Sequence, residues 1–236
     1  MDLSTLHART QDYLKTLWGF EERNGLGAAM SLGDLAKATD QKLPTTSEAV
    51  KRLATKGLVE HERYLGVKLT EEGRGLAVIM ARRHRLLETF LMQTLNYSWD
   101  ELHEEADILE HALSDRFVAR IDEHLGFPTR DPHGDPIPAA DGSSEPLSRL
   151  LLGDVAPGIP VIMEQVNDSD PEFLRYLDSK GVRPGVELQV ASAPVAGLLE
   201  VFINGGPDKV GDVFSIGESA ARDITVREKN KDQLQS

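Results

Sequence analysis

The stretch LPTTSEAVKRLATKG, Leu43 to Gly57, carries the reading on which the fold turns. On a helical wheel Thr46, Ala49, Val50 and Leu53 share one arc, while Ser47, Glu48, Lys51, Arg52 and Thr55 share the opposite one. The first set packs and the second faces out, and Gly57 ends the helix. Upstream, SLGDLAKATD (Ser31 to Asp40) is a second short helix, and Leu6 to Glu22 is an amphipathic helix with Tyr13, Leu14, Leu17 and Trp18 at helical spacing. Downstream, LVEHERYLGVKLT holds two β-like runs around a turn at Leu65 and Gly66. Three helices and a hairpin, with a small, polar and basic outer face on the third helix, make the pattern of a winged helix-turn-helix that lays that helix in a DNA major groove. Pro44, Thr45, Ser47, Glu48, Lys51 and Arg52 are the candidate DNA contacts. Hydroxyls and Arg52 suit phosphates, and Glu48 suits a cytosine amino group. His61, Arg63 and Lys68 lie near the hairpin turn, where a wing would touch the backbone of the duplex. The competing reading is an ordinary helical hairpin with a solvated face.

The net charge of -13 argues against nucleic acid only until its distribution is read. Residues 1–80 carry 11 basic and 11 acidic side chains, residues 81–130 carry 6 and 10, and residues 131–236 carry 9 and 18. The first third is therefore neutral and able to meet phosphate. At 236 residues the chain has room for two domains and a small third. No apolar run is long enough to cross a bilayer and MDLSTLHARTQDYL lacks the pattern of a signal peptide, so the expectation is a cytoplasmic protein with no membrane partner. The absence of cysteine excludes disulfides and thiol chemistry, and requires any metal to be held by oxygen and imidazole nitrogen.

Beyond the hairpin, Glu71 to Leu95 is one long helical pattern containing ARRHRLLETFL. Ser98 and Glu101 are spaced as a capping box and open HEEADILEHALSD, His103 to Asp115; a further helix follows from Asp115 to Leu125. PTRDPHGDPIPAADGSSEP reads as a linker or extended arm, and VIMEQV, ELQVAS, LLEVFI and ARDITVRE as the short strands of a small barrel. The expected architecture is mainly α with small β.

On the His103–Asp115 helix, His103, Asp107, Glu110 and His111 fall within about 100° of arc, beside an apolar stripe of Leu102, Ala106, Leu109 and Leu113. Side chains at i, i+3 and i+4 converge within a few ångströms, as a divalent cation requires. His84 and Glu88 repeat the i, i+4 offset on the preceding helix, and Asp12 lies on the first helix beside Tyr13 and Leu14. Against this stands a solvated acidic face with incidental histidines, which accounts for single residues better than for six at ligand spacing next to apolar stripes.

Taken together, QDYLKTLW, RRHRLLETFL, HEEADILEHALSD and DPHGDPIP resemble the diphtheria toxin repressor family of metal-dependent regulators, most closely its manganese-responsive branch. The resemblance covers nearly the whole chain. It implies a winged helix-turn-helix at 1–75, a helical metal-binding and dimerisation domain at 76–127, a Pro/Gly-rich linker at 128–150 and an SH3-like (FeoA-like) β-barrel at 151–230. It also implies a principal activating site on Asp12, Asp107, Glu110 and His111, and an ancillary site on His84, Glu88 and His103 with a carboxylate from the barrel, for which Glu172 is the candidate. Iron-responsive members carry methionine and cysteine where Asp12 and Asp107 stand, and Lys15 replaces a carboxylate found in some manganese regulators, which speaks against a two-metal cluster. Oxygen in place of soft sulfur suits Mn²⁺, with Fe²⁺ as the alternative.

The resulting expectation is a homodimeric Mn²⁺-activated repressor of manganese-uptake genes that binds palindromic double-stranded operator DNA. The rival is a metal-dependent hydrolase, since HEEAD approximates a zinc-protease helix with Glu104 as base; Asp107 in place of the second histidine weighs against it.

Overall fold

The computed structural model of the chain describes residues 3–62, 64–139, 142–204 and 212–229. It divides into two compact units.

The first unit comprises residues 1–84, 110–113 and 138–143. It contains α1 (Ala8–Asn24), α2 (Leu32–Ala38), α3 (Leu43–Thr55), β1 (Val59–Glu62), β2 (Gly66–Leu69) and the first half of α4 (Glu71–Leu95). Ser31 caps α2 by accepting the Asp34 N–H at 3.0 Å, and α3 starts on Pro44 in its first turn, where the missing N–H costs nothing. Tyr13, Leu14, Leu17 and Trp18 of α1 pack with Leu35, Val50, Leu53, Leu58, Val67 and Met80 in one core. Arg74, one turn into α4, donates through Nε to buried Glu21 of α1 at 2.8 Å. β1 and β2 pair antiparallel as the wing, and Met30 adds a bridge to Val67. The order of helices and hairpin is the one expected; Arg63 lies outside the described residues.

The second unit comprises residues 85–109, 114–137 and 144–236. Its helical part is the rest of α4 with α5 (Leu102–Leu109) and α6 (Asp115–His124). Glu101 reaches back to accept the Ser98 N–H at 3.0 Å, one half of the capping box expected ahead of α5, while the Ser98 hydroxyl donates to the same carboxylate and the Glu101 N–H goes to the Ser98 carbonyl. The remaining elements are β3 (Leu150–Leu151), β4 (Pro160–Val166), α7 (Pro171–Ser179), β5 (Glu187–Val190), β6 (Leu198–Ile203), β7 (Val213–Gly217) and β8 (Ile224–Glu228). The strands form one antiparallel sheet in the order β3-β8-β4-β5-β6-β7. Val161, Met163, Leu188, Val190, Val201, Phe214 and Ile216 alternate inward to make its core.

Two local features differ from the sequence reading. The α-helix begun at Leu102 ends at Leu109, and Glu110–Ala112 tighten into a 3₁₀ turn, so His103 and His111 are not on one straight helix. The segment read as a linker is packed over its first half: Asp131 and His133 are buried, the Trp99 indole donates to the Pro132 carbonyl at 3.0 Å, and the Val166 N–H donates to the His133 carbonyl at 3.0 Å. Proline and glycine here build a turn. Gly134 has φ +95°, and a Cβ on it would stand 1.9 Å from the Glu164 carbonyl oxygen, at the bulge in β4. Gly134→Ala is expected to destabilise this unit by about 2–4 kcal/mol, through left-handed strain plus a backbone clash; chemical denaturation of the full chain measures it.

Candidate metal centres and nucleic-acid interface

The first cluster lies within the first unit and joins α1 to the 3₁₀ turn. His111 Nε2 is 2.9 Å from Asp12 Oδ1 and 3.7 Å from Glu110 Oε1. Gln11, missed in the sequence, sets the imidazole: its amide nitrogen donates to the Leu3 and Leu6 carbonyls, leaving its oxygen to accept from His111 Nδ1 at 3.0 Å. Nδ1 is thereby committed as the donor, and Nε2 is the nitrogen offered to the Asp12 side. Glu110 is fully buried; it accepts from Lys15 Nζ at 2.7 Å and lies 2.7 Å from His84 Nδ1, which is itself 3.2 Å from Lys15 Nζ. Burial alone would raise the Glu110 carboxyl, but the His84 hydrogen bond and the Lys15 charge hold it below its ordinary value. His84, expected in the ancillary set, is thus bonded to a principal-site carboxylate.

The second cluster lies within the second unit. His103 Nδ1 of α5 is 2.9 Å from Asp168 Oδ2, in the loop after β4, and 3.6 Å from Glu88 Oε1 of α4. Asp107 is exposed on α5, with Oδ2 3.5 Å from His103 Nε2. Glu172 is not brought in. Helix α7 starts at Pro171, Asp170 caps it by accepting the Glu172 and Phe173 N–H groups, and the Glu172 side chain is left exposed in the first turn. The barrel carboxylate at the cluster is Asp168. Asp131 and His133 complete the group, both missed because their Pro/Gly-rich surroundings read as linker. Burial would push the His103 imidazole down, yet Asp168 and Glu88 raise it to about 11. His133 is likewise lowered by burial but lifted to about 9 by Glu88 and Asp168. Burial would lift Asp168, and His103 holds it at about 2. Both clusters offer only oxygen and imidazole nitrogen, a donor set that fits a divalent cation such as Mn²⁺ or Fe²⁺.

On α3, Pro44, Thr45, Glu48, Lys51 and Arg52 are exposed and Ser47 is half-buried, so the six candidate contacts share the outward side. Glu48 is paired with Lys51 at 2.7 Å, and the ammonium holds its carboxyl below the ordinary value. Beside this face the lining of a groove includes Arg9, Arg52 and Lys56, three cations suited to phosphate, together with His7. The Tyr13 and Thr46 hydroxyls lie 3.3 Å apart, tying α1 to the buried side of α3.

A winged helix whose first helix shares a carboxylate–imidazole cluster with the turn after α5 defines a metal-regulated DNA-binding protein. Comparison with known proteins gives the family. Residues 5–67 match the N-terminal DNA-binding domain of the iron dependent repressors, residues 70–139 their metal binding and dimerisation domain, and residues 150–228 the FeoA domain. The chain is 33% identical over 191 residues to the diphtheria toxin repressor of Corynebacterium efficiens, covering 77% of this chain and 82% of that one. It is 31% identical over 206 residues to the iron-dependent repressor IdeR of Mycobacterium leprae, covering 82% and 88%. Among solved structures, a manganese-dependent transcriptional repressor in complex with manganese superposes with a TM-score of 0.84 at 42% identity, over 93% of this chain and 100% of that one. The manganese regulator SloR gives 0.74 at 32%, over 93% and 98%. The chain belongs to the diphtheria toxin repressor family of metal-dependent transcriptional repressors, with a DNA-binding domain, a dimerisation domain and an SH3-like FeoA domain. The hydrolase reading of HEEAD falls with that membership: the family and the structural neighbours are repressors. Among the described residues no helix is long and apolar enough to cross a membrane.

Proposed function

We propose that the chain is a cytoplasmic, homodimeric Mn²⁺-activated repressor of metal-uptake genes, acting on a palindromic operator. The observation that carries this reading is the Asp12–His111 contact at 2.9 Å, made by a donor set without sulfur. The family resemblance implies that Asp12 and Asp107 stand where iron-responsive members carry sulfur ligands, and the likeness to a manganese-dependent repressor at 42% identity supports the same choice. Fe²⁺ is the second reading, favoured by the likeness to the iron-dependent repressor IdeR.

A bound divalent cation supplies the positive charge that offsets repulsion among the carboxylates and ties them together. The residues do the rest. Asp12 holds α1 against the turn carrying Glu110 and His111; Gln11 keeps the His111 ring in register; and Tyr13, one residue on, passes the position of α1 to Thr46 on the buried side of α3. In a symmetric dimer this sets two recognition helices about 34 Å apart, one turn of DNA. Binding of metal and of DNA is then reciprocally coupled.

Arg52→Ala is expected to weaken binding to specific and random duplexes alike, and to lower the salt slope by about 1 per recognition helix, as loss of a phosphate contact does. Glu48→Gln, which adds a donor and releases Lys51, is expected instead to change base preference. Anisotropy titrations over a salt series check both. The reading of this face fails if neither variant departs from the parent.

A further inference from the structure

Helix α7 and the turn after it carry two arginines that neither metal cluster uses, and both land on the loop between α4 and α5. Arg175 of α7 donates through Nη1 to Asp100 Oδ2 at 2.6 Å, with the arginine side chain 55% and the aspartate 16% exposed. Arg183, beyond the end of α7 at Ser179, lays its guanidinium over Trp99, with Cζ 5.4 Å from the ring centroid. Asp178 steadies that guanidinium by accepting from Nε at 2.7 Å. Trp99 is buried, its indole N–H donates to the Pro132 carbonyl at 3.0 Å, and its ring stacks on that of His133 with planes at 19°. It is therefore a firm seat for a cation arriving from the barrel.

Trp99 and Asp100 stand just ahead of α5, within one helical turn of His103. Asp168, which reaches His103 Nδ1 at 2.9 Å, comes from the same side of the junction as Arg175 and Arg183. The barrel thus meets the stretch 99–103 at three points, enough to fix its orientation as well as its distance. A donor carried by a separately folded element strengthens a metal centre only as far as that element is already in place, because ordering it on binding consumes part of the interaction. Glu88 and His103 belong to the helices and need no such help; Asp168 does. The two arginine contacts require no cation. A half-exposed ion pair and a cation over a ring are each weak, so they suit the placing of a barrel that has its own core better than its folding.

We propose that Arg175 and Arg183 form a latch that keeps the barrel seated on the α4–α5 loop in the metal-free protein, as positioning residues for Asp168 at the second centre. This rests on reading the second cluster as a metal centre. The ion then finds its barrel donor already beside His103 and does not have to capture the barrel first.

The test uses the full chain with Asp12→Ala and His111→Ala, which disables the first cluster, and Mn²⁺ titrated by calorimetry. This background is expected to bind about one equivalent, and His103→Ala in addition to abolish it. Arg175→Ala together with Arg183→Ala should weaken binding about 10-fold while leaving the unfolding transition in place. Arg175→Asp combined with Asp100→Arg should bind more tightly than Arg175→Asp alone, as a direct contact between the two side chains requires. Fluorine resonances of fluorotryptophan protein, read in chelator, report seating without metal: Arg183→Ala should move the signal of Trp99 and leave that of Trp18, the second tryptophan of the chain. Unchanged Mn²⁺ affinity in the double-alanine variant, with binding lost on His103→Ala, would overturn the latch and leave the centre standing. An unmoved Trp99 signal in chelator would also overturn the latch. No Mn²⁺ binding in the background protein would overturn both. If the double-alanine variant does not fold, the charge reversal and the Trp99 signal of Arg183→Gln decide in the same way.

Discussion

His111→Ala is expected to remove Mn²⁺ stimulation of DNA binding while leaving a folded dimer. The imidazole is only one-fifth exposed, but it lies on the ligand side of the turn and is no member of the apolar stripe of Leu102 and Ala106. Its loss frees Gln11 and leaves Asp12 facing buried Glu110 with one donor fewer, so α1 is no longer held to the turn. A coupling of ~1–3 kcal/mol corresponds to stimulation of about 5–150-fold, and in the variant this ratio should fall to near one. Asp12→Ala should do the same from the α1 side. Basal binding without metal and the circular dichroism spectrum should match the parent's. Full Mn²⁺ stimulation in either variant would place the activating centre elsewhere.

The second large effect is expected at Lys15, with opposite sign. Its ammonium is 2.7 Å from fully buried Glu110 and 3.2 Å from His84 Nδ1, with the lysine side chain 19% exposed. A fixed positive charge at a cation site repels the incoming ion, and in the metal-free protein it also compensates the buried carboxylate. Lys15→Met removes both effects. The metal-free protein should lose about 1–3 kcal/mol of stability, less than for a fully buried pair because water reaches Lys15 and Glu110 keeps His84. Mn²⁺ affinity at the first cluster should rise by ~10-fold or more, since like-charge repulsion at this distance exceeds ~1.4 kcal/mol at ordinary protein polarity. Denaturation with chelator present and calorimetric titration read the two halves separately. A variant with unchanged stability and unchanged affinity would show that Lys15 does not face the cation.

Much of this was legible in the residues, and the parts that were not share a cause. The winged helix could be read because its signals are local: apolar spacing in α3, Gly57 after it, and the Leu65–Gly66 turn. The i, i+3 and i+4 offsets likewise picked Glu110, His111 and His103. What the residues alone did not show depended on contacts distant in sequence or on a change of helical pitch. Glu172 and Asp168 are both acidic and four residues apart, and the start of α7 at Pro171 determines which one reaches His103. His84 pairs with Glu110 across 26 positions, helped by the 3₁₀ turn at Glu110–Ala112. Gln11 carries no charge and no motif; only the Leu3 and Leu6 carbonyls reveal which way its amide points. The DPHGD turn was hidden by its own composition, since proline and glycine mark both flexible linkers and tight, buried turns.

Metal control of DNA binding is tested most directly by selecting duplexes from a random pool with the full-length protein and Mn²⁺. Affinity for the selected duplex is then titrated at fixed free Mn²⁺, at the same free Fe²⁺ without oxygen, and in chelator. The account predicts a palindrome with half-sites about one helical turn apart, tight binding in Mn²⁺, weaker binding in Fe²⁺, and a loss of about 5–150-fold in chelator. Equal affinity in Mn²⁺ and in chelator would contradict it.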